Sequence, residues 1–263
     1  MPTVLVARAR AQWKLGDPAA AEASLDRFLN NHAEHFMARE AQVLRATVRH
    51  ARGDYAGGIA DADAVLAAGS TRPVRSDALY IRGLCQLALR QPAEAAATFE
   101  RIVQKDPQYR AMDRVLYDLA WAYQESHDAE QAIATFSRLA EALPASPLAA
   151  ETRYRIGEVH FAAGDYTVAA THFEAAFAHA TEPAVRERAA HKLAWCRFEQ
   201  QEFASAENAF GEQLAACPEG ALAADARRNA STKTIGVFVM AMQSSRSSQL
   251  NVSIQCTSSN IRS

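Results

Sequence analysis

The sequence predicts an all-α protein, a solenoid of six helix–turn–helix repeats followed by a partial seventh helix. Three observations carry this. Small residues recur every 37 positions, at Ala9, Ala46, Gly83, Ala120, Gly157 and Ala194. A second small position keeps the same register at Ala21, Gly58, Ala95, Ala132, Ala169 and Ala206. A bulky position follows at Leu25, Phe99, Phe136, Phe173 and Phe210, with Ala62 the exception. A period of this length marks units that bury their apolar faces only by stacking on their neighbours. It places function on a long surface and not in a catalytic pocket.

Within each repeat the first helix carries the first small position, and its apolar residues recur at three and four, the helical spacing. The turns are Gly16-Asp17-Pro18, Gly53-Asp54-Tyr55, Arg90-Gln91-Pro92, His127-Asp128-Ala129, Gly164-Asp165-Tyr166 and Gln201-Glu202-Phe203. Glycine suits a left-handed residue closing the first helix. Asp17, Asp54, Asp128 and Asp165 are placed to cap the second helix, and Asp128 with Gln131 fits a capping box. Pro18 and Pro92 stand at a first helical position, where proline is tolerated. The second helices should end near Pro107, Pro144 and Pro218, and Ser146-Pro147 should start the next first helix. Residues 221–231 begin a seventh first helix. Nothing before residue 232 alternates as a strand would.

This pattern resembles the tetratricopeptide repeat (TPR) family. The fifth repeat carries it best, with Tyr154, Gly157, Phe161, Gly164-Asp165-Tyr166, Ala169 and Phe173. The fourth follows with Leu116, Leu119, Ala120, Tyr123, Ala132, Phe136 and Pro144. The family's usual repeat is shorter; the extra residues here fall between the end of one unit and the first helix of the next. That longer form, with Pro144 to Ala150 at the joint, is similar to repeats of bacterial envelope proteins, the outer-membrane assembly lipoproteins and the periplasmic coordinator of the Tol–Pal system. The resemblance implies a right-handed superhelix over residues 1–231 whose first helices line a concave face. If a signal peptide is missing from this chain, it implies a periplasmic or envelope location, and otherwise a cytoplasmic one.

Charge bounds the partners. Residues 1–225 hold all 30 acidic residues against 23 of the 28 Lys and Arg. An acidic array argues against nucleic acid, which requires a basic stripe. No run is long enough to span a bilayer, so no direct membrane insertion is expected. Residues 232–263 hold many serines and no acid, and read either as a disordered tail or as an end altered by a frame or splice error. At the other end Val4, Leu5 and Val6 have no preceding repeat to pack on, although terminal repeats normally carry a polar cap. The chain therefore reads as a piece of a longer protein or one lacking its true start, and as able to self-associate through this first repeat.

No catalytic residues are assigned: there is no phosphate loop, nucleophile elbow or zinc-protease helix. No cofactor and no metal site is expected. Cys85, Cys196, Cys217 and Cys256 lack metal spacing and are expected to be free thiols, with Cys85 and Cys196 small buried hydrophobes. His32 and His35 read as a surface helix end, and His160 as a packing or groove residue. The resemblance points three first-helix positions into the groove: Tyr80, Tyr117 and Tyr154 at the first, Trp121 and Trp195 at the second, Phe161 and Phe198 at the third. Aromatic side chains of this kind anchor bound peptides. The expected function is a non-enzymatic scaffold binding a protein or peptide in that groove. The alternative is an accessory repeat region of a longer enzyme or signalling protein.

Overall fold

The structure, a computed structural model, describes residues 1–230; the expectations for Ser231, the tail and Cys256 lie outside them. Among the described residues there are thirteen helices and no strand. The chain divides into two compact units, residues 1–148 and residues from Ala149 onward. The first unit contains α1 (Pro2–Lys14), α2 (Pro18–Asn31), α3 (Ala38–Ala51), α4 (Tyr55–Ala67), α5 (Arg72–Ala88), α6 (Pro92–Lys105), α7 (Met112–Glu125) and α8 (Ala129–Ala142). The second contains α9 (Ala149–Ala162), α10 (Tyr166–His179), α11 (Pro183–Glu199), α12 (Phe203–Ala216) and the short α13 (Ala223–Asn229). In each unit every helix packs on the next, and first helices pack beside first helices, as α3 does beside α5 and α11 beside α9.

The register positions are the core. Leu25, Ala62, Phe99, Phe136, Phe173 and Phe210 are all wholly buried, as are Ala9, Ala46, Ala120 and Ala194 opposite them. Glycine at the small position lets the second helix come closer still. A methyl group added to Gly83 would stand 2.4 Å from Phe99 Cε1, and one added to Gly157 would stand 2.7 Å from Phe173 Cε1. Where Ala62 replaces the bulky residue, Cys85 fills space nearby: its Sγ would lie 2.8 Å from a methyl group on Gly58.

The turns follow one geometry whatever residue they contain. Gly16, Gly53 and Gly164 are left-handed, and so are Arg90, His127 and Gln201 at the same register position, with φ of 60°, 63° and 64°. Each turn closes with the following N–H bonded back across it, as in Asp17 N–H to Gln12 O and Asp128 N–H to Tyr123 O, both 2.9 Å. Asp17, Asp54 and Asp128 cap the second helices by accepting from the N–H groups of Ala20, Gly57 and Gln131. Asp165 is a correction: it makes no side-chain cap bond, and its carboxylate faces His160 Nδ1 at 3.7 Å instead. Ser146-Pro147 does not open a helix either. The Ser146 hydroxyl accepts from Leu148 N–H and donates to Asp113, which holds the segment as a turn until Ala149.

Candidate functional site: the first-helix grooves

In the first unit α1, α3, α5 and the start of α7 line an open groove of about 690 Å³. Its floor is apolar: Val43 and Leu44 from α3, Val74, Ile81 and Leu84 from α5, and the Tyr80 ring. The helical period places these side chains on one face of their helices. Charge lines its edges. Arg10 of α1 reaches Glu40 at 3.1 Å. Asp77 accepts from the Tyr109 hydroxyl at 2.6 Å and takes two bonds from Arg110 at 2.7 and 2.8 Å. Arg114, exposed on α7, is the third cation of the lining.

Tyr80 is half-buried, with its ring on Phe99 and Tyr109 and its hydroxyl donating to Asp118 at 2.7 Å. Burial pushes the Asp118 carboxyl up to about 6, although the Tyr80 hydrogen bond and the Arg114 charge both pull it down. The same burial, with the neighbouring carboxylate, raises the Tyr80 phenol. Tyr117 packs on Phe136, and Trp121 is half-buried one turn further along α7.

The second unit differs. Tyr154 is only 4 % exposed, its ring on Phe173 and its hydroxyl bonded to Glu158. Arg188 lies 4.7 Å over that ring and binds Glu151 at 2.6 Å, while Arg155 bridges Glu151 and Glu158. Lys192 stands 4.8 Å over Phe161. Charged side chains thus roof these aromatics. Trp195 donates its indole N–H to His191 Nε2 at 3.0 Å and packs on Phe198 and Phe210. The third groove position serves the turn: Phe161 packs on Tyr166 and Phe198 on Phe203, five residues on, as His50 does on Tyr55.

Several polar contacts were not singled out in the sequence, although a signal exists. In the first three repeats the first-helix residue four positions before the left-handed turn residue bonds the second-helix residue twelve positions later: Gln12 with Ser24, Arg49 with Asp61 and Gln86 with Thr98, at 2.7 to 3.0 Å. His160 and His172 occupy the same pair of positions and stack face to face at 5.8 Å. His160 therefore holds the two helices of its repeat together. Burial, then the His160 and Arg153 charges, lower the His172 pKa. His32 and His35 also depart from a plain surface helix end. Both rings pack on Phe28, and His35 Nδ1 accepts from Met37 N–H. Cys85 and Cys196 are buried free thiols, pushed up to about 12 by burial, and Cys217 is free and half-buried. Among the described residues no three His, Cys, Asp or Glu side chains come together to hold a metal ion, and no helix is long and apolar enough to cross a membrane.

Family models for the tetratricopeptide repeat match residues 6–71, 43–110 and 154–221, and another of the same description matches residues 86–153. The chain belongs to the tetratricopeptide repeat family. Among solved structures, this TPR protein is similar to PilW, described as a widely conserved type IV pilus biogenesis factor, at a TM-score of 0.63 and 15% identity over 85% of this chain and 97% of that one. It is similar to MamA from Desulfovibrio magneticus RS-1, with a TM-score of 0.58 and 21% identity over 67% of this chain and 93% of that one. YrrB, described as a TPR protein with an unusual peptide-binding site, gives 0.53 and 17% over 66% of this chain and 84% of YrrB. At these identities the likeness is one of fold. No curated protein matches the chain.

Proposed function

We propose that this TPR protein is a non-enzymatic scaffold that binds a peptide or protein segment in its first-helix grooves. The observation that supports this most is the open groove of the first unit, an apolar floor between charged edges with a volume of about 690 Å³. Such a floor accepts apolar anchors, while the edge charges set register and exclude wrong partners. Arg10, Arg110 and Arg114 outnumber Glu40 and Asp77 along the lining, which favours segments that carry an acid beside their apolar anchors. Tyr80, Tyr117 and Trp121 extend an aromatic strip along α5 and α7 within this unit. In the second unit Phe161 and Trp195 are half-buried and would supply the contacts, while Tyr154 and Phe198 are buried in the core and would only support them from within. YrrB, a neighbour in fold, carries a peptide-binding site in its description.

The test is selection of a displayed peptide library on the full chain, then titration of the selected peptides against variants. Leu84→Ala and Arg114→Glu in the groove, and Trp121→Ala along the strip, should each weaken binding by about 1–2 kcal/mol, as anchor truncations do, with circular dichroism unchanged. Peptides that bind all three variants like the parent chain would refute the groove reading.

A further inference from the structure

The groove of the first unit carries a titratable group on its own wall. Three cations line it, and two of them are held: Arg10 by Glu40 at 3.1 Å, and Arg110 by both carboxylate oxygens of Asp77. Arg114 is exposed, and no described acid lies within ion-pair distance of it. Its charge acts instead on Asp118, four residues further along α7 and so on the same face of that helix. Asp118 is half-buried and accepts from the Tyr80 hydroxyl at 2.7 Å, while the Tyr80 ring forms part of the groove floor. Asp118 is thus joined to one lining residue by a hydrogen bond and to another by charge.

Among the described residues, Tyr80 from α5 and Arg114 from α7 are the ionisable groups that bear on Asp118; none does so from α6 or α8, the other helices packed on α7. Burial raises the Asp118 carboxyl to about 6, so its charge is present at neutral pH and largely absent near pH 5. The consequence falls on Arg114. Ionised, Asp118 offsets part of the guanidinium charge. Protonated, it leaves that charge to whatever lies in the groove. We propose that Asp118 gates the groove: its protonation tightens the binding of a partner segment that places a side-chain carboxylate at Arg114. The gate rests on the reading of this groove as a peptide site. Linkage makes the coupling reciprocal. A carboxylate seated at Arg114 competes with Asp118 for the same charge, and so raises the proton affinity of Asp118 by the same factor.

The probe is a library-selected peptide with Glu or Asp among apolar residues, amidated at its C-terminus so that no main-chain carboxylate contributes. The control is the same peptide with the acid changed to its amide. Fluorescence anisotropy with the full chain should show the acidic peptide bound about two- to fivefold more tightly near pH 5 than near pH 7.5, the size of an exposed ion pair. The amide peptide should show no such gain. Asp118→Asn holds the position neutral, and should bind the acidic peptide near pH 7.5 as tightly as the parent does near pH 5. Arg114→Gln should bind it alike at both. Carbon-13 NMR of the Asp118 carboxyl should show its titration moving to higher pH when the peptide is added. If Asp118→Asn does not fold, Arg114→Gln and the NMR titration decide. Equal affinity of the parent at both pH values, or a gain that persists in Asp118→Asn, would overturn the gate and leave the groove reading standing. Peptides indifferent to both Leu84→Ala and Arg114→Glu would remove the two together.

Discussion

At the turn of each repeat one backbone position is left-handed, and three repeats reach it without glycine. A side chain there costs about 1–2 kcal/mol, while glycine's extra chain entropy returns about 0.5–1 kcal/mol of that on substitution. His127→Gly should accordingly stabilise the protein by about 0.5–1 kcal/mol in urea unfolding. Gly53→Ala should cost a similar amount through the backbone alone, since nothing lies within 4 Å of the added methyl group. Equal stability of both variants and the parent would show that the turn is not under strain. Asp118 acts in a different way. Its folded carboxyl, near 6, holds a proton more tightly than the unfolded chain does. Its contribution is therefore fully present below about pH 4 and is lost as pH rises through 6, leaving a buried charge that costs on the order of 2 kcal/mol at neutrality. Asp118→Asn keeps an acceptor for the Tyr80 hydroxyl. It should raise stability by about 1–2 kcal/mol at pH 7 and by almost nothing at pH 4. A gain that is the same at both pH values would contradict this account.

Between elements, the fit of a small residue to a bulky one sets how closely the two helices of a repeat approach. Gly83 meets Phe99 and Gly157 meets Phe173, but Ala120 is accommodated opposite Phe136 and Ala194 opposite Phe210. The glycine repeats are therefore packed for a closer approach than the alanine ones. Gly157→Leu should lose about 1–3 kcal/mol by overpacking. Gly83→Ala should be rescued in part by Phe99→Leu, which removes the ring edge nearest the new methyl group; a double variant no more stable than the single would disprove the pairing. The polar contacts spaced twelve apart belong to the same scale. Gln12 with Ser24 and Gln86 with Thr98 satisfy buried groups where the helices cross. Arg45 and Arg49 do so for Asp61, which is nearly wholly buried and would be costly to leave unpaired.

Over the whole molecule, repeat packing makes stability a sum of neighbour terms. Damage at one repeat should therefore stay local within its unit. Hydrogen exchange of Gly83→Leu should lose protection in α5, α6 and their packing partners α3, α4 and α7, while α11 and α12 keep theirs. Uniform loss across the chain would mean a single cooperative block. Helix content, repeat number and buried register were legible in the sequence because the chain states the same local pattern six times, once in each repeat, and periodicity alone tells which face must be covered. The left-handed conformation at Arg90, His127 and Gln201 follows from their register with the turn glycines, and not from Arg or Gln as residue types; only histidine is enriched in that region. The fate of the aromatics was a different matter. Tyr80 and Tyr154 share a register position, yet Tyr80 borders an open groove and Tyr154 lies under Arg188. The raised Asp118 carboxyl and the division after Leu148 were equally invisible. The sequence by itself determined which residues face inward within a repeat, because that depends on helical period and side-chain size. Only the tertiary structure decided which first-helix side chains are covered by charges from the next repeat, because that depends on how residues about 37 apart, one repeat length, meet in space.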